Sequence, residues 1–247
     1  MEQREGYSMR RKRRIFGAAA AMALLAAWSL LEEAGAYSLD TIIVGPENSS
    51  VSDGENTKNQ SGQPEEEHWK LTVVNRWNPI PDSWEVTLTQ LQNDQSVDSR
   101  IYPELQQMFD DARAEGILPL ISSSYRTGEM QQEMMDEKIQ EYLDQGYTYQ
   151  EAEEQAEWWV AVPGTSEHQL GLAVDITTAD WQRQDASVVW QWLNENSCRY
   201  GFIRRYPEDK SDITGISGEP WHYRYVGKKA AEEITRQGIC LEEYLGE

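Results

Sequence analysis

Two short segments of this 247-residue chain carry side chains that could meet at one metal ion. The first, Ser166-Glu167-His168-Gln169-Leu170-Gly171-Leu172-Ala173-Val174-Asp175-Ile176, sets an aspartate inside an apolar run. A buried carboxylate without a partner is costly, so Asp175 calls for a cation beside it. His168 lies seven residues earlier, and on one straight strand the two side chains would face opposite ways. Gly171 lifts that restriction, because glycine permits a turn or bulge that lets imidazole and carboxylate converge. The second segment, Gly218-Glu219-Pro220-Trp221-His222-Tyr223-Arg224-Tyr225-Val226, brings another histidine at the start of a strand. Of the three histidines in the chain, two fall in these segments. Catalytic zinc takes three nitrogen or oxygen ligands and keeps one position for water, which His168, Asp175 and His222 would satisfy. Glu219 is then the candidate base, and Pro220 keeps it out of a helix, so that its carboxylate projects from an extended turn. On these residues alone other roles stay open: Asp175 bonded to backbone amides, His168 at the surface, Glu219 an ordinary turn carboxylate.

The flanking sequence predicts the elements that must carry these groups. Lys70-Leu71-Thr72-Val73-Val74 reads as a short strand, and Asn78-Pro79-Ile80-Pro81-Asp82 as a turn or extended segment. From Tyr102 to Glu115, Leu105, Met108, Phe109 and Ala112 recur at helical spacing, and Gly116 ends the helix. Ile117 to Ile121 is a strand in which Pro119 points to an edge or bulge, and it delivers Ser122 to Arg126 to a loop. A polar helix from Glu129 to about Gln145 follows, and Thr148 with Glu151 forms a capping box for another through Trp158-Trp159. This acidic pair reads as a lid or a solvated hairpin. Leu170 to Ile176 is a buried strand, Ser187 to Asn196 a helix, and Trp221 to Val226 a strand. Strands and helices mix without regular βαβ repetition, which predicts an α+β fold.

Composition narrows the setting. With 22 basic against 43 acidic residues the formal charge is -21, which argues against a nucleic-acid partner. The one concentrated basic run, Arg10 to Arg14, precedes an apolar stretch from Ile15 to Leu31, the order of an export signal. Ala34-Gly35-Ala36 offers a cleavage site, while an uncleaved membrane anchor is the competing reading. Residues 1–36 are therefore assigned to a signal peptide or N-terminal anchor, 37–67 to a polar disordered linker, and 68–247 to a catalytic domain outside the cytoplasm. Cys198 and Cys240 are too few for a disulfide framework; a single bridge and two unpaired thiols are both open.

The pattern Ser-x-His-x-x-Gly-x-Ala-x-Asp at Ser166 to Asp175, followed by Glu-Pro-Trp-His at Glu219 to His222, resembles the VanY-type D-alanyl-D-alanine carboxypeptidases of the M15 metallopeptidases. The resemblance runs from about Asn75 through Gly227 and includes Asn75-Arg76-Trp77-Asn78-Pro79, Ser124-Tyr125-Arg126 and Gly201 to Pro207. It implies a small antiparallel sheet flanked by helices, the hedgehog/DD-peptidase-like fold. It also implies one zinc ion on His168, Asp175 and His222, with Glu219 as general base. By the same resemblance Arg126 anchors the substrate's free C-terminal carboxylate, a task suited to a guanidinium fork, and Gln131, Ser166 and Tyr206 are further substrate contacts. The implied reaction is removal of the terminal D-alanine from peptidoglycan stem peptides. Rival readings are an L,D-carboxypeptidase acting on tetrapeptide stems and a non-catalytic wall-binding module of the same fold. This chain has Ser123-Ser124-Tyr125-Arg126-Thr127 where the family commonly has Ser-Gly-Tyr-Arg-Ser.

Overall fold

The computed structural model describes residues 65–246. The N-terminal segment assigned to 1–36, and the polar stretch as far as residue 64, lie outside the described residues. The first described element is a 3-10 turn, Glu65–Leu71, which straddles residue 68. That turn replaces the strand predicted at Lys70 to Val74. The carbonyls of Lys70 and Thr72 accept hydrogen bonds from the Arg224 guanidinium at 3.1 and 3.0 Å, so they are not available to a strand ladder.

The fold is α+β, with a four-stranded antiparallel sheet at its centre. A small hairpin, β1 (Leu88–Gln90) and β2 (Ser96–Asp98), comes first. The main sheet contains β3 (Pro119–Ser123), β4 (Ala173–Thr178), β5 (Phe202–Tyr206) and β6 (Glu219–Tyr225), in the order β3-β4-β6-β5. Pro119 opens edge strand β3, where a missing N–H does no harm. Helix α1 (Tyr102–Ala114) buries Leu105, Met108, Phe109 and Ala112, as its spacing predicts. These pack with Val189, Trp192 and Leu193, carried on a helix (Ala186–Asn196) described as α4 below, and with Val174, Ile176, Phe202, Tyr223 and Tyr225 from the sheet. Because strand side chains alternate, Asp175, His222 and Arg224 are turned away from that core.

Between β3 and β4 the chain forms a helical hairpin, α2 (Gly128–Asp144) and α3 (Tyr149–Ala156). Thr148 and Glu151 make the predicted capping box, but α3 stops at Ala156, short of Trp158 and Trp159. The hairpin is more than a solvated flap, since Met135, Ile139, Tyr142, Ala152, Ala156 and Val160 form an apolar cluster of its own. Helix α4 follows β4, with Asp185 accepting from the Ser187 amide to start it. After β6 come α5 (Lys228–Gln237) and α6 (Leu241–Leu245), neither of which was predicted. They cover Ile203 and Val226 with Ala230, Ala231, Ile234 and Leu241. Cys198 and Cys240 are both free thiols, which removes the bridge from the two alternatives.

Candidate active site

His168 sits on a 3-10 turn, Glu167–Leu170, that ends at Gly171 with φ +72°. The sharp reversal is what Gly171 supplies: a β-carbon there would stand 3.0 Å from Val86 Cγ2 and 3.1 Å from the Asp98 nitrogen. The Gly171 carbonyl accepts from that same Asp98 amide at 2.9 Å. The chain then enters β4, where Asp175 lies directly opposite His222 of β6. Glu219 and His222 are three apart and would face opposite sides of a regular strand. The register slips here, since Arg204 pairs with Tyr223 but Tyr206 pairs with Glu219. Glu219 thus belongs to a strand rather than the predicted extended turn, and the slip brings its Oε2 within 3.5 Å of His222 Nδ1.

His168 Nε2, Asp175 Oδ1 and a His222 ring nitrogen form a compact, buried group of donor atoms, all within 4.8 Å of one another. His168 Nε2 is 3.4 Å and His222 Nδ1 3.3 Å from Asp175 Oδ1. Donors bonded to one tetrahedral zinc at about 2.0–2.1 Å stand roughly 3.3–3.4 Å apart, so the spacing fits that ion. His168 Nδ1 is 2.7 Å from the Ser124 carbonyl oxygen, which can only accept; Nδ1 therefore carries the proton and Nε2 offers a lone pair. Among the described residues, six buried side-chain atoms lack a hydrogen-bond partner, and four belong to Glu167, His168, Asp175 and His222. Two of these, His168 Nε2 and Asp175 Oδ1, face each other unsatisfied at 3.4 Å, which marks a place built for a cation rather than for packing; Glu167 Oε2 and His222 Nε2 face each other on the other side of the His222 ring.

Arg126 is the cationic partner that Asp175 calls for. Its Nη2 donates to Asp175 Oδ2 at 3.2 Å, its Nη1 to Gln131 Oε1 at 2.9 Å and its Nε to Ser123 Oγ at 3.0 Å. Gln131 is buried, not on a solvated helix face, and its Nε2 donates to the Ala161 carbonyl at 2.7 Å. Its amide is thus engaged within the protein, tying Arg126 to the hairpin. Ser166 is buried immediately before the His168 turn but makes no side-chain cap there. Tyr206 is buried against His222, with ring centroids 4.7 Å apart. Ser124 hooks the loop to the β1–β2 hairpin, accepting from the Ser96 amide and donating to Gln95 Oε1.

Residues 94–228 match the VanY family, D-alanyl-D-alanine carboxypeptidase. The chain belongs to that family. A D-alanyl-D-alanine carboxypeptidase of Enterococcus faecalis (strain ATCC 700802 / V583) is 60% identical over 183 residues, spanning 74% of this chain and 68% of the relative. Two solved structures are each 60% identical with a TM-score of 0.70 and cover 72% of this chain. One is VanYB in complex with D-alanine-D-alanine, 98% covered; the other is a VanY variant D,D-pentapeptidase from a VanB-type resistance cassette in complex with Zn(II), 99% covered. This VanY-family chain is a zinc-dependent carboxypeptidase, and its His-Asp-His group is fit for the metal.

The electrostatics of this VanY-family site divide its titrating groups. Burial and the nearby Arg126 charge push His168 down to about 4, so it is neutral at pH 7. Burial also acts to lower His222, but the close Asp175, Glu167 and Glu219 carboxylates outweigh it and raise His222 to about 9. Asp175 is held well below the usual carboxylate range: burial opposes this, and the two histidines overcome it. Glu219 is pushed up to about 8, chiefly by burial and then by Asp175, with His222 pulling the other way. A bound dication would reverse the logic for His222 and Glu219, favouring their deprotonated forms.

The residues that sequence reasoning missed lie behind His222. Glu167, Arg205 and Arg224 are fully buried in their side chains, and Glu242 nearly so. Arg205 donates through Nε to Glu167 Oε1 at 2.7 Å and through both Nη atoms to Glu242. The signal was available: arginines inside the apolar and aromatic runs Phe202–Tyr206 and Glu219–Tyr225 need buried acids, as Asp175 needs a cation.

Proposed function

We propose that His168 through Nε2, Asp175 through Oδ1 and His222 through Nδ1 hold the zinc, with Glu219 as general base and Arg126 as receptor for the substrate's terminal carboxylate. The reaction is release of the C-terminal D-alanine from peptidoglycan stem peptides that end in D-alanyl-D-alanine. The observation that carries this reading is the convergence of Asp175 Oδ1 with both imidazoles beside Glu219 Oε2. When bound, zinc supplies Lewis acidity, making water a stronger acid and polarising the scissile carbonyl. Glu219 takes the proton from the attacking water and returns it to the departing amine. It is not needed as a ligand, since two histidines and one aspartate already fill a catalytic zinc's protein positions.

Arg126 decides which bond is presented. A guanidinium has five N–H donors, and the three contacts to Asp175, Gln131 and Ser123 leave one on each Nη nitrogen. Gripping a free carboxylate with that pair fixes the chain end beside the metal group, which makes the enzyme an exopeptidase. Family membership favours D,D- over L,D-specificity, and an intact base and ligand set disfavour a binding-only module. The basic run Arg10 to Arg14 ahead of Ile15 to Leu31 supports export to the wall, with the enzyme released or tethered at the membrane.

The test is an assay of purified protein on pentapeptide and tetrapeptide stems, with and without chelator. D-Alanine released from the pentapeptide, abolished by chelator and restored by zinc, is expected. Release from the tetrapeptide alone, or turnover indifferent to chelator, would refute the reading.

A further inference from the structure

Glu167 is placed between two arginines and a candidate metal ligand, yet it divides its oxygens unequally. Oε1 alone serves both arginines, accepting from Arg205 Nε at 2.7 Å and Arg224 Nη1 at 2.9 Å. Oε2 is left over: it is buried, has no hydrogen-bond partner and stands 3.4 Å from His222 Nε2, itself buried and without one. A carboxylate needed only as a counter-ion for two arginines has no reason to hold its second oxygen there. Contacts of this kind are often long without metal and substrate, and tighten in the working complex.

The carboxylate is also prevented from turning. Arg205 is locked on its far side by Glu242, at 2.8 Å from Nη1 to Oε2 and 2.5 Å from Nη2 to Oε1. Glu242 is held in turn by Asn75 Nδ2 at 3.0 Å. Arg224 is fixed by the backbone carbonyls of Lys70, Thr72 and Tyr225. Two acids and two arginines balance in charge, so the cluster can face the metal group without adding net charge to it.

We propose that Glu167 is a positioning residue: it accepts the Nε2–H of His222 from behind and so keeps the Nδ1 lone pair aimed at the metal. The proposal rests on the assignment of His222 as a ligand through Nδ1. Partners of this kind set the tautomer and ring orientation of ligating histidines, and their loss typically costs about 10- to 100-fold in metal affinity or activity. Arg205 and Glu242 then act one step further back, as the brace for Glu167.

The experiment measures zinc affinity by chelator competition in the wild type, Glu167→Gln and Glu242→Gln, together with side-chain 15N NMR of His222 in the zinc-loaded wild type. Glu242→Gln also disrupts the buried charge cluster but leaves the His222 contact in place. The expected result is a roughly 10- to 100-fold loss of zinc affinity in Glu167→Gln, a loss under about threefold in Glu242→Gln, and a wild-type His222 protonated at Nε2. Equal losses in both variants would reduce Glu167 to part of the scaffold and overturn the proposal, as would a wild-type His222 protonated at Nδ1. Should Glu167→Gln not fold, the wild-type tautomer decides. Wild-type protein that takes up no stoichiometric zinc would overturn the ligand set itself, whereas normal wild-type binding with an unaffected Glu167→Gln overturns only the role of Glu167.

Discussion

Replacing Arg126 with lysine isolates the fork from the charge. The ammonium still neutralises Asp175, so the buried carboxylate is not stranded as it would be by alanine. What disappears is the second of two N–H groups left for a substrate carboxylate. A hydrogen bond to a charged group contributes about 1.5–3 kcal/mol. At about 1.36 kcal/mol per tenfold, losing one such bond should lower kcat/KM by roughly 10- to 150-fold on a peptide with a free C-terminus. On the same peptide capped as a C-terminal amide the ionic pair is already absent, and Arg126→Lys should change kcat/KM by less than about threefold. The assay is therefore a two-by-two comparison of enzyme and substrate, reading released product under zinc saturation. Equal losses on acid and amide would refute the reasoning, because they would show Arg126 acting through the shape of the site rather than on the chain end.

Three other perturbations test separate parts of the site. Glu219→Gln should lower kcat by at least about 100-fold while zinc content, read by elemental analysis, stays at one per chain; loss of the metal would make Glu219 a ligand instead. Zinc binding must expel the proton that His222 holds up to about pH 9, so apparent affinity should rise about tenfold per pH unit from pH 7 and level off above 9. The sign follows from a raised value: the proton competes most strongly at low pH, and a flat profile would contradict it. Gly171→Ala forces a side chain into φ +72° and against Val86, which should destabilise the fold by more than about 1 kcal/mol and weaken zinc binding with it. A thermal melt paired with a zinc titration would show whether the two losses travel together.

Elements whose character comes from local pattern were legible in the sequence. The spacing of Leu105, Met108, Phe109 and Ala112 gave α1, and Thr148 with Glu151 gave the start of α3, because helices announce themselves within a few residues. The strand predicted at Lys70 to Val74 failed because its fate depends on Arg224, 154 residues from Lys70. The three-residue strands β1 and β2 were missed since nothing so short carries a period. At the site, residue types and a permissive glycine were enough to name His168, Asp175, His222 and Glu219 as a group. Their actual meeting depends on the register of β4 against β6 and on a slip between β5 and β6, neither of which leaves a local trace. Gln131 shows the reverse case: its helix looked solvated, but one face of that helix turns into the hairpin's apolar cluster and toward Arg126.

The charge cluster behind His222 also bears on how the domain assembles. Its members are drawn from Asn75, Glu167, Arg205, Arg224 and Glu242, so the span from first to last is 167 residues. Until Glu242 has been synthesised and docked, Arg205 lacks one of its two acids, and an unmatched buried charge opposes closure of that layer. The layer therefore closes as one unit, drawing together segments that lie far apart in the chain, so a change at Glu242 should be felt as lost stability of the fold before it is felt at the metal group.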